Sequence, residues 1–344
     1  MNFPAAPAHR GGAEHTLPAW FAYWHPIARS RDLNRKPIAR RVLDLELVLF
    51  RSCDGRLGAM ANRCPHRGMR LSKGCVRAGR LVCPYHGWSY DPNGQVRSPG
   101  NPSLQLTVPT LEVMEQHGLI WVKQRGKQDV LPKWTQDGYE FLHSGCWQVK
   151  APVEVMLDNF TEVEHTATAH WYFGYDQDSL ADISNETRSS PLTIEVRTEG
   201  RQKKLPWPIQ ALFRIGSGDL LCCEWVTEFA PLRCTWRWSW KDAQTRSERG
   251  DRFLAVAYFN PIGEDSCQLS TIYFYSCRTP SRLSWAAIPL WRWGINNEVR
   301  IDINLVENVA PQPIARAGAH LGRFDKAILE QRQRLRQDPS ATGK

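Results

Sequence analysis

Arg63-Cys64-Pro65-His66-Arg67-Gly68 and Cys83-Pro84-Tyr85-His86-Gly87-Trp88 are the two stretches that decide the fold of the N-terminal part of this chain. Sixteen residues separate His66 from Cys83. In each stretch a Cys comes first and a His follows two or three residues on, so each loop offers one thiolate and one imidazole. Two Cys and two His in paired short loops suit zinc or an iron–sulfur cluster. A two-iron cluster held by Cys₂ on one iron and His₂ on the other needs one ligand of each kind from each loop. Gly68 and Gly87 let backbone amides approach the sulfurs, and Trp88 can shield them. Cys53 and Cys75 lie nearby, but no spacing marks them as ligands.

Outward from these loops, 344 residues leave room for two domains. The chain is 42% hydrophobic and 23% charged, which excludes wholesale disorder, collagen-like and coiled-coil architectures. Ten Cys are too few for a disulfide scaffold, and fifteen Trp point to aromatic-lined interiors. No apolar run reaches the ~18–20 residues of a membrane helix. The N-terminal MNFPAAPAHRGGAEHT has no apolar core of a secretory signal, so the expectation is a cytoplasmic protein. The net charge of +9 sits entirely in residues 1–147, with 20 basic against 11 acidic residues; residues 148–344 carry 24 of each. Such a surplus keeps a protein soluble or steers something acidic. Nucleic acid is not expected, because no basic helix or finger spacing accompanies it.

Along the chain, residues 1–16 read as a flexible N-terminus. Strand-like text runs from Leu17 to about Trp147, including Val42–Phe50 and Gly118–Val122, with a polar linker over 125–138. Residues 153–171 read as helix, then come strands over Leu220–Phe229, Thr235–Trp240, Phe253–Phe259 and Leu269–Tyr275, and helix again over 285–309. The domains expected are 17–147 and 148–328, followed by a polar tail, 329–344. Strands grouped apart from helices give an α+β fold class.

The second domain carries Asp158-Asn-Phe-Thr-Glu162-Val-Glu-His165-Thr-Ala-Thr-Ala-His170. On a continuous helix Asp158, Glu162 and His165 share one stripe and His170 points away. Both imidazoles can meet only where the helix ends or distorts, which the small Thr166–Ala169 run permits. Two His and one carboxylate make the facial set of a mononuclear non-haem Fe(II) site with positions open for O₂. Asp302 lies on the apolar stripe of the C-terminal helix, where an acid is costly to bury unless it is paired or binds metal. Glu298, on the same stripe, is the fallback ligand.

The two loops closely resemble the Rieske [2Fe–2S] domain. The positions of the extra disulfide cysteines of respiratory Rieske proteins here hold Met69 and Tyr85, so the chain looks like the oxygenase and ferredoxin type. Order and spacing from about Trp20 to Glu307 resemble the terminal oxygenase subunit of Rieske non-haem iron oxygenases, most like the homo-oligomeric vanillate-demethylase-like branch. The resemblance implies an all-β Rieske domain followed by an antiparallel sheet wrapped around a long helix. It implies a [2Fe–2S] cluster on Cys64, His66, Cys83 and His86, and iron on His165, His170 and Asp302. Electrons would come from NAD(P)H through a separate acidic ferredoxin or flavin reductase docking on the basic Rieske domain. They would pass between subunits of a homotrimer, from His86 through Glu162 to His165. The family usually has Asp where this chain has Glu162, one methylene longer.

O₂ chemistry at such a site covers monohydroxylation, oxidative demethylation and aromatic cis-dihydroxylation, on a small aromatic or amine substrate or a natural product. Mono-oxygenation or demethylation is favoured by the branch resembled. The alternatives from other classes are a non-catalytic Rieske electron carrier and a structural zinc protein. Trp207, Phe213, Trp225, Trp236, Trp238, Tyr258 and Tyr273 are candidates for the substrate pocket, although an aromatic in a strand is mostly core.

Overall fold

The computed structural model describes residues 19–42, 45–135, 138–213, 215–216, 218–249, 251–277, 288–309 and 322–337. The flexible segment expected over 1–16 lies outside the described residues.

Short strands separated by turns build the N-terminal part: β1 (His25–Arg29), β2 (Ile38–Val42), β3 (Leu45–Arg51), β4 (Leu57–Ala61), β5 (Cys75–Arg77), β6 (Arg80–Val82), β7 (Ser89–Tyr90), β8 (Val96–Arg97), β9 (Leu111–Gln116) and β10 (Leu119–Gln124). They pair antiparallel in three small sheets, β1-β10-β9, β2-β3-β4 and β5-β6-β7-β8. One core gathers Phe21, Ile27, Leu49 and Ile120. A second core, around Phe50, Met60, Leu81 and Tyr90, contains Cys64 and Cys83.

The second part is one seven-stranded antiparallel sheet. Its strands are β11 (Glu140–Val149), β12 (Ser184–Ser189), β13 (Thr193–Arg201), β14 (Leu220–Phe229), β15 (Leu232–Lys241), β16 (Asp251–Gly263) and β17 (Ser266–Cys277), in the order β11-β17-β16-β15-β14-β13-β12. Five helices accompany it among the described residues: α1 (Val153–Thr161), α2 (His165–Thr168), α3 (Trp207–Phe213), α4 (Ile288–Asn308) and α5 (Lys326–Gln337). The 21-residue α4 turns Trp291, Ile295, Val299, Asp302 and Val306 inward. Trp291, Ile295, Val299 and Val306 join the inner faces of α1 and the sheet in one core. The fold class is α+β, as the grouping of strands predicts.

Three expectations shift. The domain boundary expected at Trp147 falls inside β11, whose residues from Glu140 to Val149 pair with β17, so that strand belongs wholly to the large sheet. The stretch expected as a linker over 125–138 is also no free tether. Its Leu131 and Trp134 are buried with Trp24, Trp121, Tyr258, Ile272 and Phe274 in the seam between the two parts. Polar bonds close that seam, because the Pro26 carbonyl accepts from Asn260 Nδ2 at 2.8 Å and Gln268 Nε2 at 2.7 Å.

The polar tail expected after Leu329 is, to Gln337, most of α5, which docks on α1 and β13. Its Gln and Arg side chains hid this role by having buried partners: Gln331 Nε2 donates to Thr161 Oγ1 at 2.9 Å, and Arg332 Nε donates to Asp158 Oδ2 at 2.7 Å. Residues 338–344 lie outside the described residues.

Asp158 and Arg332 are mostly buried, at 16% and 13% exposure. Replacing Arg332 by Met leaves the carboxylate without its cation, and we expect a loss of about 3 kcal/mol in chemical denaturation. The double variant with Asp158→Asn should recover most of it. A single variant as stable as the parent would show that the pair contributes nothing.

Candidate metal centres

The two Cys–His loops have the same backbone. Cys64 N donates to Met69 O at 2.9 Å and Gly68 N to Cys64 O at 2.8 Å; Cys83 N donates to Trp88 O at 2.8 Å and Gly87 N to Cys83 O at 3.2 Å. Gly68 and Gly87 close these turns at φ of 66° and 72°, a conformation that costs glycine little. The Cys residues are thereby turned inward and are buried, whereas His66 and His86 stand at the exposed rim with ring centroids 4.6 Å apart. Trp88 stacks on His66 at 4.8 Å.

Burial pushes the Cys83 thiol up, opposed by the backbone amides of Tyr85 and His86 and reinforced by its hydrogen bond with Cys64. Tyr90 Oη lies 3.0 Å from Cys64 Sγ. Two buried sulfurs with amide and phenol donors inside, and two imidazoles outside, suit a two-iron cluster with unlike ends. Met69 packs against the core beneath the loops and Tyr85 is 57% exposed, stacked on His86.

The second centre begins with a helix end. The helix expected over 153–171 stops at Thr161, several residues before the Thr-Ala run expected to break it. Thr161 Oγ1 bonds back to Leu157 O at 2.8 Å, and Glu162 is extended. The Glu162 carboxylate then accepts from Glu164 N at 2.7 Å and His165 N at 3.2 Å. A side chain that offers those amides a partner competes with the helical ladder. The Thr-Ala run itself forms the one-turn α2, and Ala169 remains helical. The stripe drawn through Asp158, Glu162 and His165 therefore does not exist: Asp158 turns to Arg332.

Lys203 holds the bend beyond α2. Its ammonium donates to the carbonyls of Thr166 (2.7 Å), Ala167 (3.2 Å) and His170 (2.6 Å). No motif in the sequence singles out this lysine; its role comes from the chain just beyond β13 passing beside the bend.

The result is a triangle. His165 Nε2 lies 3.0 Å from His170 Nε2, and each lies 3.3 Å from Asp302 Oδ1. Ligands about 2.1 Å from a metal and at right angles to one another are about 3 Å apart, so these spacings fit one face of an octahedral ion. Both outer nitrogens are taken: His165 Nδ1 pairs with Glu162, and His170 Nδ1 lies 2.5 Å from Glu298 Oε2. That leaves both Nε2 atoms for the centre. Glu298 also accepts from the amides of Trp171 and Tyr172, at 3.2 and 3.3 Å. It therefore supports His170, and the expectation of Glu298 as the fallback ligand gives way to this orienting position. Asn159 Nδ2 donates to Asp302 Oδ1 at 3.0 Å.

Burial alone would raise Asp302, but the two imidazoles more than offset it and hold the carboxyl down at about 2. Burial alone would lower His165, yet Asp302 and Glu162 bring it up to about 9, and His170 is raised likewise by Asp302 and Glu298. Three carboxylates thus draw positive charge onto this point, which a divalent cation satisfies in place of two protons.

The triangle borders a cavity of about 150 Å³ between the sheet, α1 and α4. Two rows of cross-strand neighbours shape it. One runs Trp225–Trp236–Ala255–Tyr273, the other Thr198–Cys223–Trp238–Phe253. Small Ala255, Thr198 and Cys223 leave the void that the large rings frame.

Of the aromatic candidates, Trp225, Trp236, Trp238 and Tyr273 line this cavity. Trp207 is 79% exposed, and Tyr258 faces the seam with the N-terminal part, because period-two alternation puts it opposite Ala257. The side chain of Phe213 lies outside the described residues. Phe160, Phe173 and Tyr175 also line the cavity and escaped the sequence reading, because they sit in or beyond helix α1 and outside any alternating strand.

Residues 23–112 match the family of the Rieske [2Fe–2S] domain. This segment is a Rieske domain. The dicamba O-demethylase oxygenase component of Stenotrophomonas maltophilia is 40% identical over 103 residues, covering 29% of this chain and 30% of that protein. Chlorophyllide a oxygenase of Arabidopsis thaliana is 32% identical over 154 residues, 43% of this chain and 28% of that protein. The matched stretch spans less than half the length of these curated relatives. Over 93% of this chain and 98% of the other, the fold matches dicamba monooxygenase bound to 3,6-dichlorosalicylic acid, with a TM-score of 0.74 at 19% identity. Pseudomonas putida NdmA with caffeine matches over 94% of each chain with a TM-score of 0.66 at 20% identity. The Rieske domain followed by a single wrapped sheet is thus the fold shared with these two solved structures. No helix among the described residues is long and apolar enough to cross a membrane.

Replacing Glu298 by Ala removes the acceptor of His170 Nδ1–H and of two backbone amides. We expect Fe(II) affinity at the triangle to fall about 10- to 100-fold in an anaerobic titration, with the visible spectrum of the Rieske domain unchanged. Unaltered Fe(II) affinity would remove Glu298 from the support of His170.

Proposed function

We propose that this chain is a terminal oxygenase component that uses O₂, and electrons from a separate NAD(P)H-dependent reductase or ferredoxin, to hydroxylate or oxidatively demethylate a small organic molecule. The observation that carries it is the triangle of His165 Nε2, His170 Nε2 and Asp302 Oδ1 at the edge of an aromatic-lined cavity, downstream of a Rieske domain. Relatives named as O- and N-demethylases and monooxygenases support the reaction type. Cys64, Cys83, His66 and His86 would hold the [2Fe–2S] cluster, and His165, His170 and Asp302 the mononuclear iron. When bound, these groups supply single-electron transfer and O₂ activation.

The chain's own residues do the rest. Glu162 and Glu298 fix the tautomers and aim of the two imidazoles. Lys203 keeps the intervening bend from relaxing. Trp236 and Trp238 wall the cavity beside the triangle and exclude water from it. Glu162 keeps 22% of its side chain exposed, and the Rieske rim of His66 and His86 is exposed as well. This supports the expected head-to-tail trimer, in which Glu162 bridges to the Rieske histidine of a neighbouring subunit. The basic Rieske face, with exposed Arg63, Arg67 and Arg70, suits an acidic electron donor.

Purified protein, loaded with Fe(II), reduced, freed of reductant and exposed to O₂ with a panel of aromatic and amine compounds, should give a product that has gained oxygen or lost a methyl group. Failure to load any iron beyond that of the cluster would favour an electron carrier instead. Two substitutions divide the roles. Asp302→Ala should lose the mononuclear iron and keep the cluster's iron and sulfide; retained mononuclear iron would remove Asp302 from the ligand set. Glu162→Gln should keep both metal sites and lower single-turnover product formation at least about 10-fold. Unchanged product formation would sink the bridging role.

A further inference from the structure

Phe173 stands where two cavities meet. A smaller cavity, of about 50 Å³, adjoins the one beside the triangle, and Phe173 and Ile295 line both. Their side chains make the partition. On the inner side the Phe173 ring packs against Trp238 and Phe253, with centroids 6.4 and 6.0 Å away. Its backbone is anchored at the bend that carries His170. Gly174, next in the chain, has a φ of 121°, and a Cβ there would come within 2.4 Å of Thr166 O. Lys203 N donates to Gly174 O at 3.3 Å. An anchored backbone leaves the torsions of the ring as the freedom of the partition.

The outer cavity has the character of an approach to the inner one. Leu290 and Trp293, both more than half exposed, flank it together with Tyr172 and Ile209. Exposed apolar side chains around a concavity mark a place that apolar molecules enter. Gly294 lines the same cavity from the interior of α4. Glycine inside a helix is destabilising relative to alanine. A Cβ on Gly294 would meet no atom within 4 Å, so no close contact among the described residues demands the glycine. What the bare position leaves is room in the outer cavity.

A dry apolar cavity of about 150 Å³ takes up benzene, and the inner cavity has a volume of about 150 Å³. One ring fills it; a second ring needs the space beyond Phe173. We propose that substrate reaches the triangle through the outer cavity, and that Phe173 is the specificity-determining residue that confines it to a single aromatic ring. The inference rests on the reading of the inner cavity as the substrate site of an oxygenase, and it adds the size of the substrate and its way in.

Two neutral methyl ethers of different length test it: 4-nitroanisole, with one ring, and 4-methoxy-4′-nitrobiphenyl, with two. Both quench tryptophan fluorescence, so titration and stopped flow give affinities and rates. The protein is metal-loaded but free of reductant, so that no turnover enters. Phe173→Ala should shift the ratio of the two affinities at least about tenfold toward the two-ring probe, with Phe173→Leu in between. Gly294→Leu, which refills the outer cavity and suits a helix, should slow association and dissociation of the one-ring probe alike, at least about fivefold. An unchanged ratio, an equal loss for both probes, or no binding of either overturns the role of Phe173. Unchanged rates in Gly294→Leu overturn the route. A single-turnover run with 4-nitroanisole keeps the two readings apart. A shifted ratio with no 4-nitrophenol formed leaves Phe173 standing and counts against the oxygenase. Formation of 4-nitrophenol with an unchanged ratio does the reverse.

Discussion

A buried carboxylate has to be met by positive charge or by hydrogen-bond donors, and the second domain is arranged around one such group. Asp302 sits at 7% exposure on a stripe of α4 that is apolar apart from Glu298. Nothing on its own helix satisfies it. His165, His170 and Asn159 do, from the end of α1 and the bend after it. α1 must therefore stop where Glu162 stops it, the bend must be held where Lys203 holds it, and α4 must lie along the open side of the sheet. The cavity follows from that arrangement, because the sheet faces the helices with small residues at the points where its large rings would otherwise fill the gap.

Support for the two centres has a common form. The buried sulfurs of the first and the imidazoles of the second are each backed by a further interaction that sets their direction. In the Rieske domain these are backbone amides on Cys83 and a phenol on Cys64. In the second domain they are carboxylates on the outer nitrogens of both imidazoles. Rigid seating of the Rieske part comes from the tryptophan-rich seam and the three side chains that converge on the Pro26 carbonyl, from Asn260, Gln268 and Ser270. The C-terminal helix closes the far side of α1 through Arg332 and Gln331, so residues of merely polar appearance brace the helix that carries Asn159.

Legibility differed between the two domains for a physical reason. A Rieske loop is a local object: Cys64 to Met69 and Cys83 to Trp88 each close on themselves through one pair of backbone bonds and a left-handed glycine. Spacing in the chain therefore carries its geometry. The grouping of strands into α+β, the four long strands from Leu220 to Tyr275 and the helix around Asp302 were legible on the same ground, since period and run length are local properties. The helix end at Glu162 was less so, because a side chain capturing two amides overrode the helical pattern of the residues around it.

What the sequence determined by itself was the set of chemical groups: two Cys–His loops, a His pair five residues apart, and an acid on an apolar helical stripe. Only the tertiary structure decided which groups meet. It set Glu298 behind His170, gave Lys203 its three carbonyls, moved the domain boundary ahead of β11, turned Tyr258 to the seam and made the polar C-terminal segment a packed helix. These outcomes share one cause. Each depends on partners tens to more than a hundred residues away, and the burial that makes a polar or aromatic side chain matter is a property of those partners and not of its neighbours in the chain.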